Sequence, residues 1–415
     1  MKRFLIGFLV LGFALAIFGC TADTTGAPSD LVIYSDFARE VSEKEIYNEN
    51  IINQFEIDNN CTVHFNTLAQ ATETFNKIDS EQIAEHYTVD LVISHYGTMS
   101  QYIQAGYIQN GNALEDEMTD RTFLAAFDGS TKYGEFRFFF PFNSDVYLAY
   151  ANKTAFDHLP TGLTQAQVLA GEYTWEQYAA WGAAIGGGSV FMKGLPTSQL
   201  MYQIGGMGLS NGGTFPTLND VGNYKAWQDV LTMKPNINPQ SLSVNVSSNL
   251  MAAGDVQLAF ELMAPLQAAY TAAPAQYEVF PGPKGTSGSA GSIAGGHGIG
   301  LVKNAPNPEL AKKFIKWFTA PDQIVFAALG TIPTIAEATA ALSDSPADQV
   351  IKKALSTISN ARVEGLQMIP DYTSWSGVKG CFDTIFAGIM DGTITADNLK
   401  AKLDEQQAVL NSLKK

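Results

Sequence analysis

The chain has 415 residues, 25 basic against 41 acidic, for a formal charge of −16. That balance repels nucleic acid and anionic lipid, so neither is an expected partner. Apolar residues make up 46% and charged residues only 16%, which excludes a disordered acidic chain, and the length suits two ordinary domains.

The chain opens on a leader. Lys2 and Arg3 precede an unbroken apolar run, Phe4 to Phe18, and then Gly19-Cys20. About 15 apolar residues make roughly 22 Å of helix, short of a ~30 Å hydrocarbon core, so residues 1–19 read as an export signal. A cysteine directly after a small residue resembles a bacterial lipoprotein signal, in which the thiol is acylated and the cysteine becomes the new N-terminus. Phe18 departs from that pattern, which usually has a small residue there. On this resemblance Cys20 is the lipidation site. The body, at −18 without Lys2 and Arg3, is held to the membrane by acyl chains and not by a basic patch. If Phe18 blocks acylation, the same body is a free periplasmic protein. Residues 20–30, small and polar, read as a flexible tether.

Beyond the tether, strands alternate with amphipathic helices, which argues an α/β fold with a parallel-rich sheet. Strands are expected at Leu31–Tyr34, Thr62–Asn66 and Val89–Ser94, with helices at Ile46–Asn59, Glu73–Glu85 and Thr98–Ala105. The apolar stretch Gly134–Asn152 contains Pro141, which cannot donate to a central ladder; it reads as a strand leaving one domain for the next. Thr174 and Gln177 form a capping box opening a helix. The glycine-rich segment Gly186–Gly213 reads as loops around a binding surface. Asp255–Glu261 alternates like a strand, Pro281–Gly298 is a Gly/Ser/Pro loop, and helices follow at Pro308–Phe318, Ser374–Met390 and Thr395–Lys415. Besides Cys20 only Cys61 and Cys381 occur, expected as buried, unpaired thiols. No CxxC or paired-histidine spacing suggests a metal, and no cofactor is expected.

From Leu31 onward this order of elements resembles the extracellular solute-binding proteins of bacterial ABC importers, in particular the carbohydrate-binding branch that includes maltose-binding protein. The stretch Gly295–Pro333 carries most of the resemblance: a glycine pair, a strand, Lys303-Asn304, Asn307-Pro308-Glu309-Leu310-Ala311, an amphipathic helix with Trp317, and Gly330-x-x-Pro333. Tyr150-Ala151-Asn152-Lys153 matches the family's Tyr-Asn-Lys with one extra residue. Thr174-Trp175 and Ala253-Gly254-Asp255 match two further turns. The resemblance implies a two-domain periplasmic-binding-protein type II fold with a hinge and an interdomain cleft. Domain I would comprise 31–141 and 296–333, and domain II 142–295 and 334–415 with the C-terminal helices. It also implies a monomeric, non-enzymatic, extracytoplasmic receptor that hands a carbohydrate to an ABC permease.

Ligands of open α/β sheets sit beyond the carboxyl ends of strands, and sugars need aromatic platforms edged by polar side chains. Those two rules select Asp36 and Phe37 after the first strand, and His95 and Tyr96 after the third. They add Asn143 at the domain crossing, Glu261 and Met263 after the second-domain strand, His297 in the glycine loop, and Trp375 in a polar loop. Trp175, Trp227 and Trp317 read as core; Trp181 and Tyr202 are left open. An enzyme is the main rival class, but no Walker loop, nucleophile elbow or metal-spaced histidines occur. Paired carboxylates still leave a carbohydrate-active enzyme open, and an acidic body also suits a polyamine or another small solute.

Overall fold

The computed structural model describes residues 29–193, 195, 199–366 and 372–415. The leader, Cys20 and most of the tether lie outside the described residues. Twelve strands carry the architecture: β1 (Ser29–Ser35), β2 (Cys61–Thr67), β3 (Leu91–His95), β4 (Phe140–Asp145), β5 (Tyr147–Asn152), β6 (Val190–Phe191), β7 (Leu258–Leu262), β8 (Tyr277–Phe280), β9 (Gly291–Ile293), β10 (Gly295–Leu301), β11 (Ile332–Pro333) and β12 (Arg362–Glu364). They form a six-stranded sheet in the order β11-β4-β10-β3-β1-β2, a four-stranded sheet in the order β8-β5-β7-β6, and a β9-β12 pair. In the larger sheet β2, β1 and β3 run parallel, β10 runs antiparallel between β3 and β4, and β11 runs antiparallel to β4.

The local signals explain the elements. Pro308–Phe318 forms the expected helix, and its stripe of Ala311, Phe314, Ile315 and Phe318 is buried against the larger sheet. The Thr174 capping box is present in both directions, Gln177 N–H to Thr174 Oγ1 at 3.3 Å and Thr174 N–H to Gln177 Oε1 at 2.9 Å. The Ile46–Asn59 helix begins earlier, at Val41, and contains a π turn at Asn48–Ile52. Cys61 and Cys381 are buried and free, in separate cores. Among the described residues no helix is long and apolar enough to cross a membrane.

Three expectations change. Pro141 does not leave the sheet: it lies in the β4 ladder opposite Gly298, where the β10 register shifts between His297 and Gly298. The bulge accommodates the missing proline donor. The passage to the second sheet therefore falls between Asp145 and Tyr147, beyond residue 141. The glycine-rich 186–213 segment is not all loop. Leu200–Ser210 is a wholly buried helix, because a Cβ at Gly206 would lie 3.0 Å from the Gly291 carbonyl, and glycine lets the helix lie directly on β9. The supposed loop Pro281–Gly298 contains β9 and the start of β10.

The two sheets are joined by three neighbouring segments: Asp145–Tyr147, Ile293–Gly295 and the stretch around β11. Ser144 Oγ donates to the Gly295 carbonyl at 2.9 Å, and Thr334 Oγ1 donates to that of Pro141 at 2.7 Å. Apolar clusters cover both faces of each sheet.

Candidate functional site

β1 and β3 are parallel neighbours, so their carboxyl ends emerge side by side, and β10 runs back beside them with His297 opposite His95. This topology collects six of the nine residues selected from the sequence. The His95 backbone N–H donates to Asp36 Oδ2 at 3.2 Å. His297 accepts Asn143 as a partner through its backbone N–H, which donates to Asn143 Oδ1 at 2.7 Å, and through Nδ1, 3.3 Å from the same oxygen. The Phe37 ring lies 4.3 Å from the His297 ring, and the two imidazoles are 5.3 Å apart. Tyr96 lies beneath, its hydroxyl donating to the Asn143 carbonyl at 2.7 Å. Gly296 has to be small here, since a Cβ would come within 2.6 Å of the Tyr96 ring.

The hydrogen bonds set the tautomers. His95 caps the helix α1 (Tyr96–Gln104), its Nδ1 accepting from the Gly97 N–H at 3.0 Å, so the proton of the neutral ring sits on Nε2. The amide oxygen of Asn143 is an acceptor, so His297 carries its proton on Nδ1 and leaves Nε2 with a lone pair. Burial, and then the Lys379 charge, lowers His95 to about 3. Burial, with His95 and Arg39 nearby, holds His297 well below its ordinary value. His297 Nε2 stands 3.7 Å from Asp36 Oδ1; with a neutral ring and that length, the contact is not an ion pair. Asp36 is 7% exposed and its Oδ1 has no hydrogen-bond partner. Burial lifts its pKa to about 7, against the His95 N–H and the charges of Arg39 and Lys379, which act the other way.

The opposite wall comes from the second sheet's side of the molecule. Trp375 opens the helix α2 (Trp375–Asp391), which Ser374 caps by accepting from the Gly377 N–H at 3.0 Å. The Trp375 indole N–H donates to the Tyr202 hydroxyl at 2.9 Å, and the Tyr202 ring lies 6.1 Å from that of His95. Gln101 of α1 reaches the Tyr372 carbonyl at 3.3 Å. The two halves thus meet along His95, Gly97 and Gln101 on one side and Tyr202, Tyr372 and Trp375 on the other.

Glu261 and Met263 make no contact with this cluster. Glu261 is fully buried against Lys193 at 3.3 Å and accepts from Ser247 N–H and Oγ at 3.1 and 2.6 Å. Met263 lies in an apolar core, its N–H donating to Asp145 Oδ1 at 3.0 Å. The sequence reading left Tyr202 open and passed over Lys379 and Arg39. The signal for Lys379 was its place one helical turn after Trp375. Trp181 proves to be core, with its indole N–H on the Ala155 carbonyl at 2.7 Å. Surface hollows of about 280 Å³ beside Thr154 and Asp255, and about 160 Å³ beside Asn110 and Lys312, hold none of these groups. Among the described residues no cluster of metal-ligating side chains occurs.

Known proteins place this geometry. The fold is similar to that of the ABC substrate-binding protein Lmo0181 from Listeria monocytogenes in complex with cycloalternan, with a TM-score of 0.73 and 17% identity over 93% of this chain and 98% of that one. It is similar to maltose-bound MalE3 from T. maritima, with a TM-score of 0.71 and 15% identity over 92% and 100%. It is also similar to UgpB from Mycobacterium tuberculosis in complex with glycerophosphocholine, at 0.71 and 16% over 94% and 98%. At these identities the likeness is one of fold: a two-domain periplasmic-binding-protein architecture. No curated protein matches in sequence. Residues 50–354 match the family described as bacterial extracellular solute-binding protein, and the chain belongs to that family.

Proposed function

We propose that the protein is an extracytoplasmic receptor that captures a mono- or oligosaccharide in the cleft between its domains and delivers it to the permease of an ABC transporter. The observation that carries this reading is the unpartnered Asp36 Oδ1, buried beside His95, His297 and Phe37. A sugar hydroxyl donates to that oxygen, while the His95 Nε2–H and the His297 Nε2 lone pair offer one donor and one acceptor. Phe37, Tyr202 and Trp375 supply flat apolar surface for a sugar face. Tyr96 and Asn143 hold the histidines in place, and Glu261 and Met263 stand outside the proposed site. The domains divide where the chain passes between sheets, near Val146, Ala294 and Thr334, and ligand contacts from both sides favour the closed form. Two of the similar structures hold cycloalternan and maltose, both saccharides. In this reading the protein acts as a monomer without catalysis, tethered through acylated Cys20.

A thermal-shift screen of the purified protein against mono- and oligosaccharides and polyamines tests the reading. A true ligand at 100 times its Kd adds about 2.7 kcal/mol of stability. A saccharide is expected to shift the melt. A melt moved by polyamines alone sinks the carbohydrate assignment.

A further inference from the structure

Lys379 lies on the helix that Trp375 opens. It follows Trp375 by four residues on α2, so the two side chains share one helix face. Its ammonium stands 5.5 Å from the centroid of the Tyr202 ring, the ring whose hydroxyl holds Trp375 and which borders His95. The residue is half-buried, yet among the described residues it makes no ion pair or hydrogen bond. Lys193, Lys225 and Lys284 are each paired with a carboxylate, whereas the partly buried Lys44 and Lys234 make no ion pair among the described residues. What sets Lys379 apart is the ring beside it: Lys77, which lies over Tyr34, is paired with Glu81, while Lys379 lies over Tyr202 with no carboxylate paired to it among the described residues.

A second cation, Arg39, lies exposed at the surface beyond β1. Its Nη1 is anchored on the Ala69 carbonyl at 2.5 Å. The charges of both Arg39 and Lys379 reach the Asp36 carboxyl. Burial holds both imidazoles below their ordinary values, so Lys379, beside the Tyr202 ring, is the cation on the aromatic wall of the cleft, within an acidic body. Low-dielectric walls focus such a field on whatever enters. A partly desolvated ammonium gains most from a charged acceptor, through a charge-assisted hydrogen bond.

We propose that Lys379 reads an anionic group on the captured sugar, so that the cleft selects a saccharide bearing a carboxylate or phosphate over its neutral counterpart; this rests on the carbohydrate reading of the cleft given above. The anionic group lies at the Lys379 side, and a hydroxyl of the same molecule donates to Asp36 Oδ1. Rings between them rest on Tyr202 and Trp375.

The test is a glycan array carrying neutral, uronic-acid and phosphorylated mono- and oligosaccharides. Titration calorimetry follows, with the strongest binder and its neutral analogue. Anionic glycans are expected to bind at least tenfold tighter than neutral analogues, the uronic and phosphorylated arms telling carboxylate from phosphate. Lys379→Met is expected to bring the two within about threefold. Raising NaCl from 50 to 500 mM is expected to weaken only the anionic glycan, a readout on the wild-type protein that needs no variant. If the strongest binder is neutral, or Lys379→Met weakens both analogues equally, the charge reading is overturned and the carbohydrate reading stands. If no glycan binds, both fall.

Discussion

Two buried polar clusters lie on either side of the Asp145–Tyr147 crossing, and they differ in one respect. Around Glu261 every group is answered: Lys193 and Ser247 meet its carboxylate, the Lys193 N–H donates to Gln203 Oε1 at 2.7 Å, and Gln203 in turn donates to the Phe260 carbonyl. Around Asp36 one oxygen is left over, two imidazoles are held neutral, and the nearest cations sit at the rim. A saturated network holds structure, because its groups have nothing to offer a newcomer and a partner removed leaves a buried charge. An unsaturated one stores the capacity to bind, because the ligand supplies the missing hydrogen bond. Burial of a carboxylate after a strand is therefore common to both clusters, and its unspent acceptor is what favours Asp36 as the candidate site.

The sharpest way to break this comparison is to cut the saturated cluster. Glu261→Ala strands Lys193 and is expected to cost about 3–5 kcal/mol, read as a fall in the urea midpoint with an unchanged slope; a loss below 1 kcal/mol removes the structural role. Next is Trp375→Ala, which deletes a wall of the cleft and is expected to weaken the true ligand by well over tenfold, about 1.4 kcal/mol or more. Unchanged affinity takes Trp375 out of the site.

Asp36→Asn is expected to weaken binding about tenfold while leaving the fold intact, and pH sharpens the contrast. Asp36, faced by Arg39, Lys379, His95 and His297, titrates near 7 when folded and near 3.8 when unfolded. Between those values the folded chain keeps a proton that the unfolded chain has lost. Its contribution to stability is thus full below about pH 4, falls as pH rises to about 7, and is flat above. The slope is at most about 1.4 kcal/mol per pH unit. Asp145 is raised likewise, by burial, but cancels in the difference between wild type and variant. Asp36→Asn is therefore expected to gain on wild type as pH climbs from 5 to 7.5, and a pH-independent difference contradicts the buried-acid account. The smallest effect is expected from Gly97→Ala, whose Cβ would stand 3.1 Å from the Trp375 indole nitrogen. Because it also comes within 3.2 Å of His95 Nδ1, it crowds both the juncture and the His95 cap, and it is expected to lower affinity severalfold with a melting temperature within a few degrees of wild type.

Much of the fold was legible in the chain. The strands after Leu31, the Thr174 cap and the Pro308–Phe318 helix follow from periodicity and capping, which are local. Pro141 and the Gly186–Gly213 segment misled for one reason. A proline or glycine signals a break only when nothing answers it, and here a bulge in β10 and the close approach of β9 do. The site divides in the same way. That Asp36 and His95 stand together was legible, because the carboxyl ends of neighbouring parallel strands emerge side by side; His297 joins them from the start of antiparallel β10. Glu261 satisfies that rule as well and still belongs elsewhere, since only the partner list tells a spent carboxylate from a free one.

The sequence by itself determined the α/β alternation, the strand ends that carry polar side chains, and the turns that stop each element. All of these are set by contacts within a few residues or by burial along one face. Only the tertiary structure decided that Asp36 keeps an unanswered oxygen, that Lys193 consumes Glu261, and that Tyr202, with Lys379 beside its ring, comes to border His95. Those outcomes depend on partners up to several hundred residues away, and no local pattern encodes which of several suitable partners the folded chain brings within reach.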